Sequence, residues 1–217
     1  MIKSKTPQQI LGLMGIVSLL SYAAAVVFSP RAYPGYQWMA QAVSDLSADA
    51  APSRGLWNQL SALYLLCGVV CCTLAGLGVR GKGNRPMRLG VRLFAVMLWI
   101  SAVGYAMFPL SQPGAPAGFQ GTMHLVVTGA VVALSVAALG LIIYGALIKK
   151  ACLFLGWSAL IALIMMLCGA VGTGVLPAAY FGIPERFRVF SAVGLNAVLG
   201  IRLFRGFDSH TNFSNIP

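Results

Sequence analysis

Charge is what this sequence has least of. Of 217 residues, 9% are charged; four are acidic and two are histidines. Soluble domains carry roughly 25% charged residues, so a chain with 59% hydrophobic content is not a water-soluble globular domain. No Asp, Glu, Lys or Arg falls centrally in a long apolar run. That removes a buried lysine for a retinal-type Schiff base, and it disfavours proton-coupled transport through a mid-membrane carboxylate. His124 is the only histidine outside the C-terminal tail, which excludes bis-histidine haem ligation. No glycine-rich phosphate loop precedes a helix, so no nucleotide site is expected.

Cysteine is present but poorly placed for chemistry. Cys67, Cys71, Cys72, Cys152 and Cys168 all lie inside apolar runs, where they act as small apolar side chains. Cys67 and Cys71 share a helix face at i, i+4, yet their run holds no histidine or carboxylate to complete a metal site. The sequence therefore predicts no metal, no cofactor and no structural disulfide.

What the chain does have is length in its apolar runs. A bilayer crossing needs about 20 apolar residues, and such runs lie at 8–28, 55–79, 91–111, 122–148, 151–176 and 187–204. They predict an all-α integral membrane bundle of six transmembrane helices, one transmembrane domain over residues 1–217. The first run has features of a signal peptide, with Lys3 and Lys5 before it and Ala23, Ala24 and Ala25 near its end. The stretch Ile10 to Phe28 is longer than a usual signal core, which favours a retained first span.

The basic residues sort by side. Alternate connections and both termini hold eleven Lys and Arg, against four on the opposite set. The positive-inside bias places both termini in the cytoplasm. The absence of a eukaryotic targeting pattern fits a multi-pass protein of the plasma (inner) membrane of a prokaryote. The net charge of +11 is then a topology signal, and no nucleic acid is expected as a partner. Arg80, Lys82, Arg85 and Arg88 make the second connection the most basic. It reads first as a topology determinant and second as a site for anionic head groups, at about 1 kcal/mol per basic residue. Membrane lipids are the expected partners.

Polar chemistry collects on the outer face. The first outer connection is long for a hydrophobic bundle and opens with Tyr33-Pro34-Gly35-Tyr36 and Trp38. Trp38, Met39, Ala42, Val43 and Leu46 recur at helical spacing, which predicts a short interfacial helix on the rim. Ser53 is placed to N-cap the second span, and Asn58 lies about one turn into it. His124 opens the fourth span, and Glu185-Arg186 opens the sixth. Glu185 suits the positive end of a helix macrodipole. It reads either as a cap paired with Arg186 or Arg188, or as part of a pocket. Ser44, Asp45, Asn58, His124, Glu185 and Arg186 are the candidate outer polar pocket, with Asp45, His124 and Glu185 expected to converge. Asp49 reads as a solvated loop residue, and Asp208 lies on the other side.

Tyr33-Pro-Gly-Tyr36, Ser44-Asp45-Leu46-Ser47-Ala48, Ala51-Pro52 and Asn58 resemble the DUF998 family of six-span bacterial and archaeal membrane proteins. Phe108-Pro109, His124 and Glu185-Arg186 continue the resemblance over nearly the whole chain. Many relatives carry an acid two residues after the Phe-Pro proline, where this chain has Ser111. The family is one of unknown function, so the resemblance implies the architecture rather than the chemistry.

Three functional readings fit these residues. In one, the protein is an intramembrane enzyme acting on a lipid or amphiphile at the outer leaflet, with Asp45, His124 and Glu185 as acid–base candidates and Ser44 or Ser47 as nucleophile. A zinc hydrolase would need His124, Asp45 and Glu185 gathered as ligands. In the second, the same groups line a vestibule of a transporter or of a lipid or small-molecule binder. In the third, the protein is accessory, its polar groups stapling loops to the bundle and Cys168, Gly169 and Gly172 supporting close helix packing.

Overall fold

The computed structural model describes residues 5–113 and 118–207, so Lys3 and Asp208 lie outside the described residues. All regular structure among them is helical: α1 (Pro7–Leu11), α2 (Met14–Phe28), α3 (Arg54–Leu60), α4 (Ala62–Gly78), α5 (Arg85–Met107), α6 (Gly118–Ile142), α7 (Leu153–Val175) and α8 (Gly182–Arg205), with short 3-10 turns between. Five stretches are long and apolar enough to cross a membrane, and α3 with α4, bent by 40°, make a sixth when counted as one span. The protein is an integral membrane helical bundle. Large apolar side chains such as Leu20, Leu66, Val103, Val126 and Ile161 stand exposed, as lipid-facing positions must. Lys5 Nζ lies 4.9 Å from the centre of the Phe204 ring, so the first and last spans begin and end at one side.

Local chemistry sets the helix ends. Thr6 and Gln9 form a capping box ahead of α1, with Pro7 at its start. Asn84 Oδ1 accepts from Met87 N–H at 3.1 Å and opens α5, while its Nδ2 donates to Gly145 O at 2.8 Å. Because Asn84 caps there, α5 starts six residues before the expected 91, and Arg85, Arg88 and Arg92 ride on the helix. Its C-terminal end comes early too, at Met107, where the chain turns into Phe108-Pro109. The fourth span ends in a wider π turn, Ile143–Ile148.

Close helix approach relies on missing side chains. A Cβ on Gly12 would lie 2.6 Å from Gly200 O, one on Gly15 2.8 Å from Cys71 Sγ, and one on Gly169 2.5 Å from Pro184 O. These contacts seat the start of α2 on α4 and α8, and α7 on α8. Gly169 and Gly172 thus sit in a seam as expected, but Cys168 is exposed and does not.

Three further expectations are corrected. The second span is not continuous: it breaks at Ser61, where no proline or glycine marks the bend. Hydroxyls from α2 supply partners around the break, Ser21 Oγ donating to Leu60 O at 2.6 Å and Ser18 Oγ to Tyr64 O at 2.8 Å. A broken span is tolerated in a membrane where its backbone is buried in protein or faces a cavity.

The rim helix expected over Trp38–Leu46 is also absent, replaced by turns and a 3-10 turn at Ser44–Leu46. The backbone groups that a helix would pair are claimed elsewhere. Arg186 takes the carbonyls of Trp38 and Gln41, Gly182 N–H takes Met39 O, and Tyr36 OH takes Ala42 O. Of the five apolar positions, Ala42, Val43 and Leu46 face inward, whereas Trp38 and Met39 are exposed. Ser53 does not cap α3 through its side chain. Its Oγ donates to Leu46 O at 2.8 Å instead and ties the loop to itself.

Candidate functional site

A cavity of about 510 Å³ opens among α2, α3, α4, α5, α6 and α8, roofed by the first long connection. Its mouth includes Asp49 and Arg54, paired at 2.9 Å and partly exposed. From there the wall follows α8 from Glu185 to Asn196 and α6 from His124 to Ser135. At 1.5 Å per residue each stretch spans about 16 Å, roughly half the 30 Å hydrocarbon thickness of a bilayer.

Chemistry changes with depth. Ser44, Ser47, Asn58, Tyr105, His124, Thr128, Glu185 and Arg188 crowd the half nearest the mouth, whereas Met97, Leu98, Val131, Val132 and Met166 line the interior together with Ser18, Ser101 and Ser135. At the floor Asn196 is buried, donates Nδ2–H to Gly68 O at 3.2 Å and leaves Oδ1 without a partner. An unpaired acceptor in such a place is costly, and a bound donor or water would relieve it.

His124 is oriented from two sides. Its Nδ1 lies 2.9 Å from Phe108 O. A carbonyl only accepts, so Nδ1 carries a proton; when the ring is neutral the lone pair is then on Nε2. The Tyr105 ring stacks against it at 4.9 Å. Tyr105 OH and Thr128 Oγ1 are 3.0 Å apart. Since Thr128 spends its proton on His124 O at 2.9 Å, Tyr105 is the donor in that pair.

Glu185 is 5% exposed and lines the cavity. Its Oε2 accepts Val43 N–H at 3.1 Å, tying the roof to α8. The expected pairing with Arg186 or Arg188 is absent: among the described residues no ion pair within 4 Å joins them.

Of the six residues expected to share a pocket, Ser44, Asn58, His124 and Glu185 lie on its wall. Asp45 and Arg186 do not, so the expected convergence of Asp45 with the other two is corrected. Asp45 is 4% exposed, and its Oδ2 accepts from Ala42 N–H at 3.1 Å inside its own loop. Arg186 is a clamp. It donates to Trp38 O, Gln41 O and Gly182 O at 2.7–3.1 Å and to Tyr36 OH at 2.8 Å, and it sits over the Trp38 ring. Burial pushes the Tyr36 phenol above its ordinary range, with the Arg186 guanidinium acting against that rise. Asp49, read as merely solvated, belongs to the mouth. Ser111 is exposed and off the wall, its carbonyl accepting Ala50 N–H at 3.2 Å. No group of three His, Cys, Asp or Glu side chains placed to hold a metal occurs among the described residues, so the ligand triad a zinc hydrolase needs is not assembled.

Sequence reasoning missed the depth of the site. Arg188 was weighed only as an ion-pair partner, and Tyr22, Tyr64, Tyr105, Ser101 and Asn196 were passed over. A signal existed. Polar residues recur three or four apart along one face of otherwise apolar spans: Ser18 and Tyr22 in α2, Ser101 and Tyr105 in α5, His124 and Thr128 in α6, Glu185 and Arg188 in α8.

Fold and cavity define a multi-pass helical membrane protein with a polar recess let into one end. The chain belongs to the DUF998 family, described as proteins of unknown function, whose model matches residues 16–202. No curated protein and no solved structure matches it.

Proposed function

We propose that this protein sits in the plasma membrane of a prokaryote with both termini in the cytoplasm, and binds an amphiphile, a lipid or lipid-like small molecule, in a cavity at its extracytoplasmic end. One observation carries the reading: a single cavity runs about 16 Å along α6 and α8, from a rim that holds all its charged side chains to a deeper stretch where Met97, Leu98, Val131, Val132 and Met166 stand among a few small neutral polar groups. A head group and a chain need that gradient in that order. Its volume lies within the 300–1,000 Å³ usual for ligand sites. The break at Ser61 supports it, since Asn58, Ser61, Tyr64 and Leu65 on both sides of the bend face the same space.

The test is native mass spectrometry of the protein purified in mild detergent, beside Ala192→Phe. Ala192 lines the cavity, and a phenyl ring there fills space that a chain would take. Wild type is expected to retain a lipid-sized adduct and Ala192→Phe to lose it. Equal adducts on both would contradict the reading.

A second reading, an enzyme acting on the bound amphiphile, draws on one observation. Phe108 O holds the His124 Nδ1–H, so the neutral form of the ring would turn Nε2 to the cavity as a base. Incubation with labelled lipid extract would show a product lost in His124→Ala if it holds.

A further inference from the structure

The amphiphile reading leaves the head group unnamed, and the charges on the wall address it. Asp49 and Arg54 neutralise each other at the mouth. Glu185 and Arg188 remain, three residues apart on α8 and both on the wall. Side chains at i and i+3 on a helix are neighbours and ordinarily meet when oppositely charged. Here they do not pair within 4 Å. Val43 N–H holds the Glu185 carboxylate toward the roof through Oε2, and Oε1 accepts no hydrogen bond among the described residues. The Arg188 guanidinium donates none among them either; the contact at that residue is Ser191 Oγ–H to its backbone carbonyl. A carboxylate oxygen and a five-donor fork therefore stand apart on one wall, neither hydrogen-bonded to the described residues, and both are open to the polar groups of a ligand.

The two charges balance. A lone anion would satisfy Arg188 while repelling Glu185, and a lone cation would do the reverse. A ligand carrying both signs a few bonds apart satisfies both. Phosphate oxygens match the planar fork of a guanidinium, and an ammonium is the natural donor to a carboxylate. His124 Nε2 adds a further acceptor on the facing helix. Below them Met97, Leu98, Val131, Val132 and Met166 offer an apolar chamber for a chain.

Resting on the amphiphile reading, we propose that the cavity selects a zwitterionic phospholipid with a primary-amine head group, its phosphate on Arg188, its ammonium on Glu185 and an acyl chain running toward Met166.

The experiment offers wild-type protein in detergent an equimolar mixture of phosphatidylethanolamine and phosphatidylglycerol of matched chains and counts bound lipid by native mass spectrometry. A parallel arm adds glycerophosphoethanolamine, the head group without chains. Phosphatidylethanolamine is expected to be retained about tenfold over phosphatidylglycerol. Glu185→Gln is expected to bring that ratio to parity or reverse it, since the glutamine oxygen still accepts Val43 N–H and keeps the roof docked. Arg188→Gln is expected to lose both lipids.

Equal retention of the two lipids by wild type overturns the zwitterion assignment while leaving amphiphile binding intact, and needs no variant to decide. An unchanged ratio in Glu185→Gln overturns it too. Displacement of lipid by glycerophosphoethanolamine would assign the site to a soluble phosphoamine instead. Retention of no lipid at all overturns the amphiphile reading itself.

Discussion

Replacing Arg186 by alanine removes four hydrogen bonds from a guanidinium: three to carbonyls and one to the Tyr36 hydroxyl. Bonds to charged groups contribute about 1.5–3 kcal/mol each when buried, but this site is partly exposed and the losses do not simply add. Gly182 O lies within α8, where the helix ladder also reaches it, and Trp38 O can be hydrated. That leaves chiefly Gln41 O and Tyr36 OH uncompensated, a net loss of about 3 kcal/mol. For a chain of this size 1 kcal/mol moves the melting midpoint by about 2–4 °C, so Arg186→Ala is expected to melt about 6–12 °C below wild type. A thiol-reactive fluorophore provides the assay, because Cys67, Cys71 and Cys72 are buried and become reactive on unfolding; exposed Cys168 and partly exposed Cys152 are first replaced by serine. Lysine at 186 keeps the charge but not the fork, and should recover less than half the loss. A midpoint for Arg186→Ala within 2 °C of wild type would refute the clamp.

Other expectations follow from the same geometry. Asp45→Asn should leave lipid retention unchanged, since Asp45 is off the wall and asparagine can still accept Ala42 N–H, whereas Glu185→Ala should reduce it; native mass spectrometry of the two variants decides. Gly12→Val places a Cβ 2.6 Å from Gly200 O and should abolish monodisperse protein on size-exclusion chromatography. Reporter fusions at the C-terminus and in the 112–121 connection should report opposite sides of the membrane, and the same side for both would overturn the span count.

Much of the architecture was readable because it rests on one strong constraint. A span must be apolar and its flanks carry the charge, so composition alone picks out the five long apolar helices and the bent α3–α4 pair. What stayed hidden depends on partners far away in sequence. Nothing in Trp38–Leu46 indicates that its carbonyls will be taken by Arg186 or that its Val43 N–H will meet Glu185, some 140 residues on, so a helical pattern was read as a helix. The break at Ser61 was equally silent, because what steadies it is two serines on another span. Asp45 and Glu185 looked alike in sequence, both acids at the outer edge. One turned out to serve its own loop and the other faces the cavity, a distinction made by which backbone N–H lies closest.

Photo-crosslinking tests the central claim most directly, using a phospholipid whose acyl chain carries a diazirine, reconstituted with the protein in bilayers. The α6 helix offers an internal contrast, with Val131 and Val132 on the cavity wall and Leu125 and Val126 exposed on its outer surface. A chain held inside the cavity predicts labels at Val131, Val132 and Met166, reduced by Ala192→Phe. Labels confined to Leu125, Val126 and other lipid-facing positions would contradict it.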